Sequence, residues 1–145
     1  MTGDQTCVPE GGAPCFTGVD VVIPVHDEQD LLGRCLDALE ACIAATPLPV
    51  TVTVVLDACS DASEAVARGR ARIVTTSARN VGAARARGFA SLQQAATSSS
   101  YPSGLAPSSP HASPPTPPPP GRRWFATTDA DSRVPRTWLT DQLAH

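Results

Sequence analysis

VDVVIPV, at residues 19–25, is the segment on which a prediction of the fold rests. A short run dominated by β-branched residues predicts a buried strand, and Pro24 lies near its end, where a missing backbone N–H is tolerable. From Leu31 to Ile43, leucine, cysteine and isoleucine then recur at helical spacing. Asp27 precedes this helix and is its predicted N-cap. A strand and an amphipathic helix therefore begin the predicted domain.

The alternation of strands and helices continues along the chain. Further strands are predicted at 50–56, 71–75 and 124–128. Further helices are predicted at 61–68 and 81–96, and from Pro135, in the first turn, to Leu143. Such an alternation implies right-handed crossovers and a parallel sheet with helices on its faces. The predicted fold class is therefore α/β and Rossmann-like, with a mainly parallel four-stranded sheet and flanking helices.

Two segments lie outside this pattern. Residues 1–18 are rich in glycine and proline and are predicted to be a flexible lead. Residues 97–121 hold nine of the fifteen prolines, many beside serine, and are predicted to be a disordered or polyproline-like insertion. A proline-rich docking motif is the alternative for that insertion. Residues 19–96 and 122–145 are predicted to form one domain.

Composition excludes several classes of function. All eleven basic residues are arginine, so the chain has no lysine for a P-loop or a Schiff base. The net charge of -3 gives no reason to expect a nucleic acid partner. No transmembrane segment and no signal peptide are predicted, which indicates a cytoplasmic protein and leaves peripheral membrane association open. Cys35 and Cys42 fall on one helical pattern and are expected to be buried free thiols.

Polar residues follow every predicted strand. In chain order they are His26, Asp27 and Glu28; Asp57, Ser60 and Asp61; Arg79, Asn80 and Gly82; and Asp129 and Asp131. Parallel sheets bind ligands outside the carboxyl ends of their strands, and these residues are therefore the candidate site. The alternative for any one of them is an ordinary loop residue or helix cap.

The Asp129-Ala130-Asp131 segment follows an apolar strand and is the most informative of these groups. Two carboxylates held close together repel one another, and a divalent cation relieves that repulsion. Mg²⁺ typically takes one or two carboxylates and completes its shell with water and substrate phosphate oxygens. A metal-diphosphate site is one interpretation, and a solvated turn with a helix cap is the other.

Four motifs follow one another along the chain: VVIPVHDE at 21–28, VVLDACSD at 54–61, NVGAARAR at 80–87, and DAD at 129–131 followed by Pro135 and Leu139. In this order they resemble the motifs of family 2 glycosyltransferases. The resemblance implies the nucleotide-sugar-binding half of a GT-A domain, with Asp129 and Asp131 holding Mg²⁺ or Mn²⁺ and Asp129 also contacting the nucleotide. The implied donor is a UDP- or GDP-sugar, and the acceptor is unknown.

The resemblance also implies roles for residues on the first three motifs. Pro24, His26 and Glu28 hold positions that contact the nucleoside, and His26 stands where a stacking aromatic is common. Asp57 matches an acid that hydrogen-bonds the base edge, with a helix cap as the alternative.

Two residues on the third predicted helix complete the candidate set. Arg87 matches a family arginine near the nucleotide, with a solvated helix face as the alternative. Gly82 allows close approach of a ligand or simply begins the helix. Arg79 and Arg85 are further candidates.

Departures from the family pattern shape the functional hypothesis. Leu56 stands where a second acid is usual, Gly88 stands where an asparagine is usual, and the general base and acceptor half are expected to be missing after His145. No catalytic residue is therefore identified. The hypothesis is a truncated glycosyltransferase, weakly active or inactive alone. The alternative is a non-catalytic nucleotide-binding or scaffold module, a split subunit or a remnant. The glycine motif of dehydrogenases and the GxSxG of serine hydrolases are absent.

Overall fold

The computed structural model describes residues 16–97 and 122–144. The strands are β1 (Phe16–Val25), β2 (Val50–Asp57), β3 (Arg72–Thr76) and β4 (Arg122–Thr127). The helices are α1 (Gln29–Ala44), α2 (Ser63–Ala67), α3 (Val81–Thr97) and α4 (Trp138–Leu143). The predicted flexible lead before Phe16 and the predicted insertion after Thr97 lie outside the described residues.

The four strands form one sheet in the order β3-β2-β1-β4, and every pairing is parallel. The predicted α/β fold is therefore confirmed. β1 is central, and Val22 is aligned with Thr53 of β2 and with Thr127 of β4. The β1–β4 ladder ends at that pair, so Pro24 lies where β1 has only β2 beside it. Its missing N–H therefore costs the sheet little.

Helices cover both faces of the sheet, which explains the continuous apolar run in β1. Val21 and Ile23 belong to a core shared with Leu36 of α1 and Leu139 of α4. Val22 points to the other face and packs with Val55 and Ala84, the latter from α3. No helix within the described residues has the length and apolar character needed to cross a membrane.

Gly88 allows α3 to lie directly on the sheet. A Cβ atom at this position would lie 2.5 Å from Cγ1 of Val22 and 2.9 Å from Cγ2 of Val55. The residue that departs from the family motif is thus required by packing in this chain. Because Gly88 fixes the distance of α3 from β1 and β2, it also fixes where the first turn of α3 stands at the carboxyl edge.

A bidentate ion pair holds β4 at the edge of the described sheet. The Arg123 guanidinium donates to both carboxylate oxygens of Asp20, at 2.5 and 2.7 Å. The Asp20 side chain is buried, and its hydrogen bond raises the pKa of Arg123. A buried carboxylate needs such a partner, because an unpaired charge there would be costly.

Several predicted boundaries were wrong because tertiary pairing extends or shortens elements. β1 begins at Phe16, within the predicted lead, because Phe16 and Gly18 align with Arg122 and Arg123 of β4. α4 begins at Trp138, and Pro135 lies before it rather than in its first turn. The predicted burial of Cys35 and Cys42 as free thiols is confirmed.

Asp27 is not the N-cap of α1, contrary to the prediction. That position belongs to Glu28, which makes no side-chain capping bond. Asp27 has a positive φ of 51°, and its carboxylate accepts a hydrogen bond from the Ser60 backbone N–H instead. The carboxylate therefore makes a tertiary contact instead of the helix-capping bond that its sequence position suggests.

The close packing at Gly88 gives a first prediction. Gly88→Ala should lower the free energy of unfolding by about 1–3 kcal/mol, because the added methyl group overpacks α3 against Val22 and Val55. Denaturant unfolding followed by circular dichroism measures the change. Gly33→Ala is the matched control in α1, where the added Cβ would lie 3.8 Å from Val66. That variant should gain about 0.5–1 kcal/mol from helix propensity. Equal effects at both glycines would contradict the packing argument.

Candidate functional site

A crevice of about 800 Å³ opens at the carboxyl edge of the sheet. Loops after all four strands contribute to its walls. The charged and polar residues among them are His26, Asp27, Glu28, Asp57, Ser60, Arg79, Asn80, Arg85, Asp129 and Asp131. The volume lies in the range of small-molecule sites. The position is where open parallel sheets bind their ligands.

Asp57 ties the loop after β3 to the end of β2. Its two carboxylate oxygens accept hydrogen bonds from the backbone N–H groups of Arg79 and Asn80, both at 2.8 Å. Asn80 in turn caps α3, because its side-chain oxygen accepts a bond from the Ala83 N–H at 3.0 Å. A buried carboxylate, 4% exposed, thus sets the start of α3. Its charge also suits the positive end of that helix.

Asp27 and Asp61 join the loops after β1 and β2 in the same way. The Asp27 carboxylate accepts from the N–H of Ser60 at 2.7 Å, and the Asp61 carboxylate accepts from that of Gln29 at 2.9 Å. Burial raises the pKa of Asp61, but hydrogen bonds from Ser63 and Gln29 outweigh it and lower the pKa. Both carboxylates therefore hold backbone in place.

Three non-glycine residues around the crevice have left-handed backbone conformations. Asp27, Ala58 and Arg79 have φ values of 51°, 50° and 49°, and each follows a different strand of the sheet. Such conformations cost free energy and persist where the surrounding structure imposes them. Carboxylate-to-amide bonds impose them at Asp27 and Arg79, and a bond from the Ala58 N–H to the Thr76 carbonyl oxygen does so at Ala58. Strain of this kind clusters at functional sites, which supports the crevice as one.

The DAD segment presents both of its acids to the crevice. Ala130 is 3% exposed and packs into the core, whereas Asp129 and Asp131 on either side of it are exposed. The Cys35 thiol of α1 donates to the Asp129 carbonyl oxygen at 3.5 Å. The pKa of Cys35 is raised to about 11, first by burial and then by the charges of Asp131 and Asp129. That thiol is therefore neutral and serves as a hydrogen-bond donor below the loop.

Arg85, rather than Arg87, is the arginine of α3 that lines the crevice. Its Nη2 donates to Oδ1 of Asp129 at 2.5 Å. Arg87 is exposed and is not part of the lining, and neither is Gly82. Helical spacing alone does not distinguish the two. With Ala84 and Gly88 facing the sheet, Arg85 and Arg87 lie on opposite flanks of α3, and the ion pair with Asp129 shows that the Arg85 flank borders the crevice.

The nucleoside-contact candidates lie together at the end of β1. Pro24, His26 and Glu28 all line the crevice. The His26 Nδ1 lies 2.7 Å from the carbonyl oxygen of Asp57. Because a carbonyl oxygen only accepts, Nδ1 carries the hydrogen and donates it. The ring is thus anchored at one edge, and its exposed remainder faces the crevice.

Among the described residues, two groups of side chains could hold a metal ion, and their hydrogen bonding distinguishes them. Asp27, Cys59 and Asp61 offer ligand atoms within 4.8 Å of one another. Both carboxylates already accept backbone N–H groups, and the Cys59 thiol donates to the Val25 carbonyl oxygen at 3.3 Å. Burial also raises the pKa of Cys59, which disfavours the thiolate. This group fits a metal poorly.

Asp129 and Asp131 fit a hard cation better. Within residues 16–97 and 122–144, the one hydrogen bond given to the Asp131 carboxylate comes from the Ser132 hydroxyl, at 3.4 Å. Asp129 keeps one oxygen free of the Arg85 ion pair. Exposed carboxylate oxygens beside a crevice that a phosphate could enter are the donor set that Mg²⁺ and Mn²⁺ use.

The bonds made by Asp57 generate a second prediction. Asp57→Asn should lower the free energy of unfolding by about 1–3 kcal/mol, because an amide NH₂ would replace one of two oxygens that face backbone N–H groups. Thermal and denaturant unfolding measure the loss. Asp129→Asn is the control, since its ion pair is half exposed and should contribute less than about 1 kcal/mol. If Asp57→Asn left the free energy of unfolding unchanged, other contacts would be holding the loop after β3.

Comparison with known proteins identifies the family. The model of glycosyl transferase family 2 matches residues 20–94, more than half of the chain, from β1 into α3. The solved structure of S. aureus TarS 1-349 is similar in fold, with a TM-score of 0.53 and 15% identity. That similarity covers 88% of this chain and 31% of the TarS chain. No curated protein sequence matches. The crevice is therefore built on the fold of a known family, and the chain belongs to glycosyl transferase family 2.

Proposed function

We propose that the crevice binds a nucleotide-sugar, a UDP- or GDP-sugar, together with Mg²⁺ or Mn²⁺, as the donor site of a glycosyltransferase. One observation carries this proposal. Two exposed carboxylates, Asp129 and Asp131, open into the same crevice as Asp57, His26 and an arginine. The proposal goes beyond the family match, because the matched residues end before the DAD segment.

The charge of the crevice supports a cation as part of the ligand. Its lining holds five carboxylates, those of Asp27, Glu28, Asp57, Asp129 and Asp131, and two guanidinium groups, those of Arg79 and Arg85. The formal balance is five negative charges against two positive charges. A diphosphate alone would be repelled by this surface at short range. A divalent cation shared by the diphosphate and the DAD carboxylates removes that repulsion.

The remaining residues are assigned by position. Pro24, His26 and Glu28 form the wall beside the nucleoside, with the imidazole available for stacking. Asp57 lines the same wall, and a carboxylate has four lone-pair sites, of which two are used by Arg79 and Asn80. It can therefore still accept a hydrogen bond from a base edge. Asp129 is placed beside the diphosphate as well as the cation.

Three residues of α3 complete the proposed nucleotide site. Arg85 supplies donors for the diphosphate oxygens, as a guanidinium does well. Gly82 and Arg87 belong to a more peripheral part of the site, since neither lines the crevice.

The chain's residues would act by binding and orienting the donor. A bound divalent cation supplies neutralisation of the charge that develops on the departing nucleoside diphosphate. Arg85 adds a fixed positive charge beside it. Loops tied by carboxylate-to-amide bonds keep these groups in place, which reduces the reorganisation needed during the reaction. The acceptor hydroxyl and its general base are not assigned to any described residue.

A non-catalytic nucleotide-binding module is the second candidate function. The chain spans 31% of the length of the TarS chain, so sugar transfer by this chain is itself part of the proposal. Both candidates predict donor binding, and they differ only in turnover. Release of nucleoside diphosphate from a bound nucleotide-sugar in the presence of candidate acceptors separates them.

Asp131 provides a direct test of the site. Calorimetry of the full chain with UDP, UDP-glucose and GDP-mannose should show binding of at least one ligand that Mn²⁺ strengthens by on the order of tenfold or more. Asp131→Ala should abolish this dependence on Mn²⁺, because it removes a proposed ligand. Asp141→Ala, which removes an exposed acid of α4 outside the crevice, is the control and should leave it unchanged.

Two outcomes would reject the donor site. The first is a folded chain that binds none of the three ligands in a Mn²⁺-dependent way. The second is Mn²⁺-dependent binding that survives Asp131→Ala, which would place the cation elsewhere.

A further inference from the structure

The Arg85–Asp129 ion pair occupies part of the proposed cation site. Nη2 of Arg85 lies 2.5 Å from Oδ1 of Asp129. A cation bound to that oxygen would have to displace the guanidinium or lie beside it. A cation and a guanidinium beside the same carboxylate oxygen repel one another, and the repulsion is stronger where little water screens the charges.

Arg85 is held in the crevice wall with hydrogen-bonding capacity left over. Its side chain is 34% exposed, against 55% for Asp129. Among the residues that the structure describes, its buried Nε has no hydrogen-bond partner. A buried N–H without a partner is costly. Because the side chain is partly exposed and lines the crevice, an entering anion could accept from its Nη groups.

We propose that Arg85 is an internal counter-ion that keeps the affinity of Asp129 and Asp131 for a free divalent cation low until a diphosphate enters the crevice. The diphosphate oxygens then accept the Arg85 donors, and Asp129 is released to the cation. Cation and diphosphate therefore bind as a coupled pair. This inference rests on the proposed function and adds how the affinity of that site for a cation is regulated.

Thermodynamic linkage makes the coupling reciprocal. The factor by which a diphosphate raises the cation affinity equals the factor by which the cation raises the diphosphate affinity. Because the ion pair is partly exposed, its contribution is modest, and removal of Arg85 should raise the affinity for free cation about five- to tenfold.

Mn²⁺ binding to the full chain tests the proposal without any need for activity. Electron paramagnetic resonance of free Mn²⁺ gives the dissociation constant with and without UDP. Arg85→Ala should bind Mn²⁺ about five- to tenfold more tightly than the wild type in the absence of UDP. The gain in Mn²⁺ affinity on adding UDP should shrink in the variant. Arg68→Ala removes one positive charge outside the crevice and should behave as the wild type.

The outcomes separate this inference from the proposed function. If UDP strengthens Mn²⁺ binding equally in the wild type and Arg85→Ala, and free Mn²⁺ binds both alike, the counter-ion role is wrong and the donor site stands. If the wild type binds no Mn²⁺ even with UDP, the donor site itself fails. Arg85→Met keeps the aliphatic stem in case the alanine variant unfolds. Unfolding of both variants would make Arg85 a structural residue and reject the proposal.

Discussion

A single buried carboxylate sets the geometry of the crevice. Asp57 ends the β2 strand, and its two oxygens hold the backbone N–H groups of Arg79 and Asn80. Asn80 then caps α3, and the first turns of that helix carry Arg85 to Asp129. The position of the positively charged wall relative to the DAD acids therefore depends on hydrogen bonds from a side chain at the end of β2, together with the packing of α3 at Gly88.

Most of the fold could be predicted from the sequence because its strongest signals are local. A β-branched run and a helical repeat identify β1 and α1, and alternation of elements gives the parallel sheet. The errors arose where distant contacts override local preference. Asp27 is of a residue type that is favoured at N-caps, yet its carboxylate accepts a hydrogen bond from the Ser60 N–H in another loop. β1 begins early because β4, more than a hundred residues later in the chain, pairs with it.

The strand-end rule selected residues that line one crevice, whereas an arginine selected by its place in a motif lies outside that lining. His26, Asp57, Asp129 and Asp131 all line the crevice, as expected for residues at carboxyl ends of parallel strands. Arg87 was matched by its place in a motif, whereas the helix presents Arg85. Periodicity can assign a residue to a helix face, but only the packing of Ala84 and Gly88 shows which face meets the sheet.

Hydrogen bonding divides five acids at the carboxyl edge of the sheet into two groups that sequence cannot distinguish. Asp27, Asp57 and Asp61 have oxygens occupied by backbone N–H groups, so they stabilise loops. Asp129 and Asp131 have exposed oxygens that no backbone group uses, so their charge is available to a ligand. Because Arg85 already balances part of that charge, a newly bound cation must compete with a guanidinium. An anion that engages Arg85 removes this competitor, and this links the two halves of a metal-diphosphate ligand.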